Sequence, residues 1–231
     1  MFKKLLSSIG IGSTKVNTVL FEDIIERGKE VKGEVHIIGG ITEEKISEIY
    51  IHIDSEFHKY DHDMTEFPDI TEPILEIKVT DPLVIRPHEE KIIPISFTIP
   101  YYTPITFGKQ TVQIQTELKI NLLNHPVEKH DFILIDPLIN DIFKFFKKQG
   151  FRHNFESGFC RSKPPTSINP THCLQNFHLE NKDGVQICFT GNEKDINIHV
   201  REKDQVRNFL ITRDQDLIIQ LSKLYPSNKE A

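Results

Sequence analysis

The sequence predicts an all-β fold, two tandem antiparallel β-sandwiches with a few minor helices, and three observations predict it. Of 231 residues, 33 are Ile, 11 Val and 15 Thr, against a single alanine at position 231. A chain rich in β-branched side chains and almost lacking the best helix former opposes a helical bundle and favours strands. Apolar residues alternate with polar ones over many short runs, separated by clusters of Gly, Pro, Asp and Asn. The length suits two β domains of about 100 residues each, enough to bury cores without disulfides or metal.

The elements follow in order. Phe2, Leu5, Leu6 and Ile9 share one helical face and Gly10 with Gly12 ends it, so residues 1–12 read as a short amphipathic helix. Its two lysines imitate a signal peptide. The apolar stretch is short and broken by Ser7 and Ser8, with no small-residue cleavage site, so the segment is expected to be retained. From there the period is two. Strands are expected at Val31 to Ile37, Ile49 to Ile53, Ile74 to Val79, Ile92 to Ile99, Thr111 to Ile120 and Phe132 to Ile135, filling a first sandwich over 13–137. Pro94 cannot donate to a central ladder, which puts its strand at an edge or makes Pro94 its start. Gly28 and Gly33 are expected to flank a turn into a strand, and Gly39-Gly40 to supply positive φ where the strand ends.

Leu138, Ile142, Phe145 and Phe146 return at helical spacing, Lys144, Lys147 and Lys148 come late in the segment, and Gly150 is the stop. This interdomain helix marks the start of a second sandwich over 138–231. Three strands are expected there, Leu174 to Leu179, Val185 to Thr190 and Ile196 to Val200. A terminal helix is expected from about Asp204 to Leu224, with Phe209, Leu210, Leu217, Leu221 and Leu224 on its apolar face.

Charge excludes some functions. The net charge of −6 leaves no footprint for a nucleic-acid binder. Its distribution is uneven: Glu43 to Glu90 carries 14 acids against four basic residues, and Phe143 to Lys163 carries six Lys/Arg against Glu156 alone. An acidic first half would select partners with basic surfaces. No run of 18 apolar residues exists, so no helix is expected to span a bilayer. Cys160, Cys173 and Cys188 are odd in number, which argues against a disulfide framework and for a reducing cytoplasm.

No motif marks catalysis. His52, Asp54, Glu56, His58, Asp61, His62 and Asp63 mix the ligand types of Zn, Mn or Fe sites. Period two, however, turns His52 and Asp54 away from Ile51 and Ile53 toward solvent and leaves 58–63 as a loop. The three cysteines with His153, His172 and His178 lack the paired spacing of a zinc site. Gly10 to Lys15 lacks the Gly before Lys that a phosphate loop needs. Accordingly no catalytic, cofactor-binding or metal residue is assigned, and the chain is expected not to be an enzyme.

Several stretches together resemble one family. Lys15 to Leu20, Arg27 to Val35 with Gly39-Gly40, Pro94 to Pro100 with Thr103 to Thr106, His130 to Pro137, and Gly150-Phe151 are similar to the SpoOM family of bacterial sporulation-control proteins. Arg27 stands where that family usually has Pro before the Gly, and Ile95 where it usually has Phe. The resemblance implies an arrestin-like fold and a non-enzymatic cytoplasmic regulator or adaptor that binds other proteins through sheet edges and interdomain loops. Three other readings compete with it: a membrane-surface adaptor using Lys3, Lys4 and the Phe2, Leu5, Leu6 face, a metal-binding protein using His52, His58 and His62, and a homo-oligomer built on edge strands.

Overall fold

The computed structural model describes residues 12–57, 70–120, 126–162, 165–167 and 169–224. The amphipathic segment 1–11, His58, His62 and the stretch 121–125 lie outside the described residues. The chain runs through β1 (Lys15–Leu20), β2 (Ile24–Glu26), β3 (Glu30–Ile38), β4 (Glu44–Ile46), β5 (Glu48–Phe57), β6 (Ile70–Thr80), β7 (Leu83–Ile85), β8 (Glu90–Thr98), β9 (Thr111–Lys119) and β10 (Val127–Ile135). After these come α1 (Pro137–Lys148), β11 (Arg152–His153), β12 (Cys160–Ser162), β13 (Cys173–Gln175), β14 (Phe177–Glu180), β15 (Gln186–Gly191), β16 (Asp195–Glu202), β17 (Gln205–Thr212) and α2 (Leu217–Leu224).

The first ten strands form two facing sheets, β1-β3-β8 and β2-β10-β9-β5-β6, with β4 and β7 as a separate pair. Alternation decides what fills the space between them. Val35 and Ile37 of β3, Ile49, Ile51 and Ile53 of β5, Val112, Ile114 and Leu118 of β9, and Leu134 of β10 are all buried in one core. Thr18 and Thr116 touch hydroxyl to hydroxyl inside it, which satisfies two polar groups that burial would otherwise penalise. Each expected strand of this half is present. β1 was not foreseen as a strand, nor were the three-residue β2, β4 and β7. Among the described strands, β2 and β10 pair in parallel, at Ile24↔Ile133, whereas an antiparallel set was expected.

Pro94 sits mid-strand in β8, which among the described strands pairs with β3 alone and is therefore an edge. Gly28 has φ +81° and packs under the Tyr101 ring, where a Cβ would come within 2.1 Å of a ring carbon. Gly33 lies inside β3 rather than beside a turn. Gly39 and Gly40 do not have positive φ, contrary to expectation. They are glycines because backbone approaches them: a Cβ would meet the Arg86 carbonyl oxygen at 2.1 Å and the Gly12 carbonyl oxygen at 2.2 Å.

A second core begins at the loop after β8 and continues through α1. Five antiparallel strands in the order β11-β14-β15-β16-β17 form one sheet, and β12-β13 a small second one. Ile139, Ile142 and Phe146 of α1 and Leu221 and Leu224 of α2 are buried with Phe177, Leu179, Ile187, Phe189, Ile196, Ile198, Val200 and Ile211 of the sheet. α1 covers the stretch expected to be helical, and Gly150 at φ +82° follows its end as expected; its start was not foreseen, where the Asp136 carboxylate accepts from the Leu138 and Ile139 amides and Pro137 opens the first turn.

Two expectations are corrected. The terminal helix does not begin near Asp204. Residues Gln205–Thr212 form β17, paired with β16 through a tight turn in which Lys203 has φ 52°, and among the described residues after β17 the helix is Leu217–Leu224. Phe209 and Ile211 face the core with period two, so the apparent helical face merged a strand with a short helix. Cys160 and Cys173, expected to be unpaired, form a disulfide with Cα atoms 4.9 Å apart. Hydrogen bonding between β12 and β13, with Ser162 opposite Cys173, brings them together, which their spacing in sequence does not reveal.

Candidate functional site

Three loops converge on one carboxylate. Arg27 follows β2, and its amide donates to the Ile135 carbonyl, which leads directly to Asp136 at the end of β10. Arg27 Nε donates to Asp136 Oδ2 at 2.9 Å, and Nη2 lies 2.7 Å from the same oxygen, outside hydrogen-bond alignment. Arg27 Nη1 donates to the carbonyls of Tyr101 at 2.9 Å and Thr103 at 3.2 Å. From the second core, Arg213 donates to both Asp136 oxygens at 3.1 and 2.7 Å and, through Nε, to the Asn192 carbonyl. The Tyr101 ring lies against both guanidinium groups, 4.7 Å from Arg213 and 5.8 Å from Arg27.

The result is a clasp between the cores. Asp136 is 1% exposed and Arg27 4%. Burial alone would raise the Asp136 pKa, but hydrogen bonds from Arg213 and the charges of Arg27 and Arg213 outweigh it and hold the carboxyl below its usual value. Burial lowers the Arg27 pKa from its usual value, opposed by the Asp136 charge. A second contact lies beside the clasp. Gln175 clamps the Ile105 backbone with two hydrogen bonds of 2.8 and 2.9 Å, and Phe107 packs against Phe143, His153 and Phe177. Sequence reasoning noted Arg27 only as a departure from a family pattern and missed Asp136, Arg213 and Tyr101 as partners. Two arginines around one N-cap aspartate have no sequence signature.

The outer face of β5, β6 and β9 carries the acidic character. His52 and Asp54 do lie opposite Ile51 and Ile53, as expected, but flanking strands cover them. His52 sits between Glu76 at 3.5 Å and Glu117 at 3.4 Å, and Asp54 is buried rather than turned freely to solvent. Burial raises the Asp54 pKa, opposed by the charges of His52 and Lys129. Glu48 pairs with Lys78 and Lys119, and the Lys119 ammonium lies 4.2 Å from the Tyr50 ring centre.

The histidines and cysteines that could supply metal ligands do not converge on one point. His172 bonds Glu72, His153 bonds Ser157, and His178 neighbours Cys188. Among the described residues no group of three or more His, Cys, Asp or Glu is arranged to hold a metal ion. No described helix is long and apolar enough to cross a membrane.

Fold and junction together define an all-β protein of two cores joined at a buried ion cluster. The chain belongs to the SpoOM protein family, whose family model matches residues 2–198. It is 35% identical over 159 residues to the sporulation-control protein Spo0M of Bacillus subtilis strain 168, a match that spans 66% of this chain and 59% of that relative's length. The crystal structure of Spo0M from Bacillus subtilis superposes with a TM-score of 0.75 at 22% identity, covering 92% of this chain and 95% of that one, so the fold is shared.

Proposed function

We propose that this chain is a non-enzymatic regulator in sporulation control that works by binding other proteins through the charged outer face of β5, β6 and β9. Its membership of a family that includes a sporulation-control protein supports the regulatory role. The observation that carries the binding mode is this face, where Glu76 and the half-exposed Glu56 stand on a segment rich in acids and Glu117 of β9 lies across His52 from Glu76. Such a face attracts basic surfaces and rejects acidic ones. In this reading the chain is two units, 13–137 and 138–231, with α1 belonging to the second, and it acts in the cytoplasm.

The test is complementation in a spore-forming host that lacks its own family member. Replacing Glu56, Glu76 and Glu117 by Lys should leave the thermal transition within a few degrees and abolish the restored sporulation phenotype. Full complementation by a folded triple variant would sink the proposed binding face. Trapping thiols at the moment of lysis tests the compartment: three modified cysteines per chain fit the cytoplasm, and one does not.

A further inference from the structure

Cys188 is the cysteine outside the disulfide, and it lies on the outer face of the second sheet, since Ile187 and Phe189 on either side point into the core. Strand register places four side chains in one row across that face: His178, Cys188, His199 and Asn208. Cys188 Sγ is 3.6 Å from His178 Nε2, and His178 Nδ1 is 3.8 Å from the Glu156 carboxylate. A carboxylate beside Nδ1 favours the tautomer protonated there, which leaves the Nε2 lone pair directed at the thiol. On the other side, His199 Nδ1 lies 2.6 Å from Asn208 Oδ1. Cys188 and His178 are half-buried, within reach of a small reagent, and neither the clasp nor the acidic face uses this row.

An ordinary thiol, with a pKa of about 8.5, is mostly protonated at neutral pH and slow to react. A neighbouring imidazole that takes its proton makes the nucleophilic thiolate. We infer that Cys188 is a thiol-modification site that takes a low-molecular-weight disulfide, with His178 as its base and Glu156 positioning the imidazole. The Cys188 proton passes to His178 Nε2 and the thiolate attacks one sulfur of the disulfide. A new S–S bond to Cys188 forms as the reagent's S–S bond breaks, and the departing thiolate takes its proton from His178. Cys188 is oxidised to a mixed disulfide and the departing half is reduced to a thiol, so no further co-reactant is needed. A low-molecular-weight thiol reverses the step.

The experiment follows the reaction of the full chain with dithiobis-nitrobenzoate between about pH 5 and 9, subtracting the Cys188→Ser chain to isolate this thiol. The expected midpoint lies below that of the same chain unfolded in urea. Because a less basic thiolate is also a weaker nucleophile, the expected gain at neutral pH over the same chain unfolded in urea is modest, about threefold. His178→Gln should return the midpoint to that of the unfolded chain, and Glu156→Gln, on an exposed loop residue, should move it part of the way. A midpoint equal in folded and unfolded wild type overturns the proposal without recourse to any variant. So does an unchanged midpoint in a His178→Gln chain whose circular dichroism and thermal transition match the wild type.

Discussion

Asp136 does three jobs with one carboxylate: it caps α1, neutralises Arg27 and holds Arg213. Removing one partner of a buried ion pair leaves an uncompensated charge, so Asp136→Ala should cost about 3 to 5 kcal/mol in urea unfolding. Arg213→Ala should cost less, because Arg213 is partly exposed and Arg27 still pairs with Asp136. A smaller loss for Asp136→Ala than for Arg213→Ala would contradict this account of the clasp. The pH dependence has a definite sign. The folded pKa of Asp136 is depressed, so its contribution is present above the unfolded carboxyl value of about 3.9 and is lost as pH falls through the folded one.

His153 adds a milder acid sensitivity. The residue is exposed overall, but partial burial of its ring against Phe107 and Phe143 lowers its pKa. An unfolded histidine takes its proton near pH 6.5 or so while the folded one lags, so stability should fall as pH drops below about 6.5. Thermal unfolding of His153→Gln on both sides of that value should show a shallower decline than wild type. Equal slopes would remove His153 from the explanation.

At the scale of elements, α1 is the piece that carries weight in two places. Its start is tied to the clasp and its inner face fills the second core, with Phe146 fully buried and Phe145 partly so. Phe146→Ala should therefore cost about 3 to 5 kcal/mol and Phe145→Ala proportionately less, read by chemical denaturation. If neither shifts the transition and limited proteolysis cuts first within 138–149, α1 is a linker after all. The contrast with β17 is instructive. α1 carries its own cap, its opening proline and its stop, all local signals. β17 and α2 present apolar residues in a pattern that suits either a strand or a helix, and pairing with β16 chose the strand for Gln205–Thr212.

Across the whole molecule, charge rather than shape is expected to set how fast a partner arrives. The acidic segment from Glu43 to Glu90 should speed encounter with a basic partner at low salt, and the advantage should fade as the Debye length falls below about 10 Å. Stopped-flow association at increasing salt reads this directly, and a salt-independent rate would dismiss electrostatic selection.

By itself the sequence determined the all-β class, most of the strands, that Pro94 belongs at an edge or a strand start, and the extent of α1. Each is written in neighbouring residues: side chains two apart share a strand face, a proline removes its own donor, and an aspartate caps the helix that begins beside it. Only the tertiary structure decided which distant residues meet. Arg27 lies 109 positions from Asp136, and Arg213 lies 77 from it. Cys160 reaches Cys173, and His178 reaches Cys188, only through strand register. Pairing between distant segments depends on the summed packing of two cores, and no local pattern of side chains records that sum.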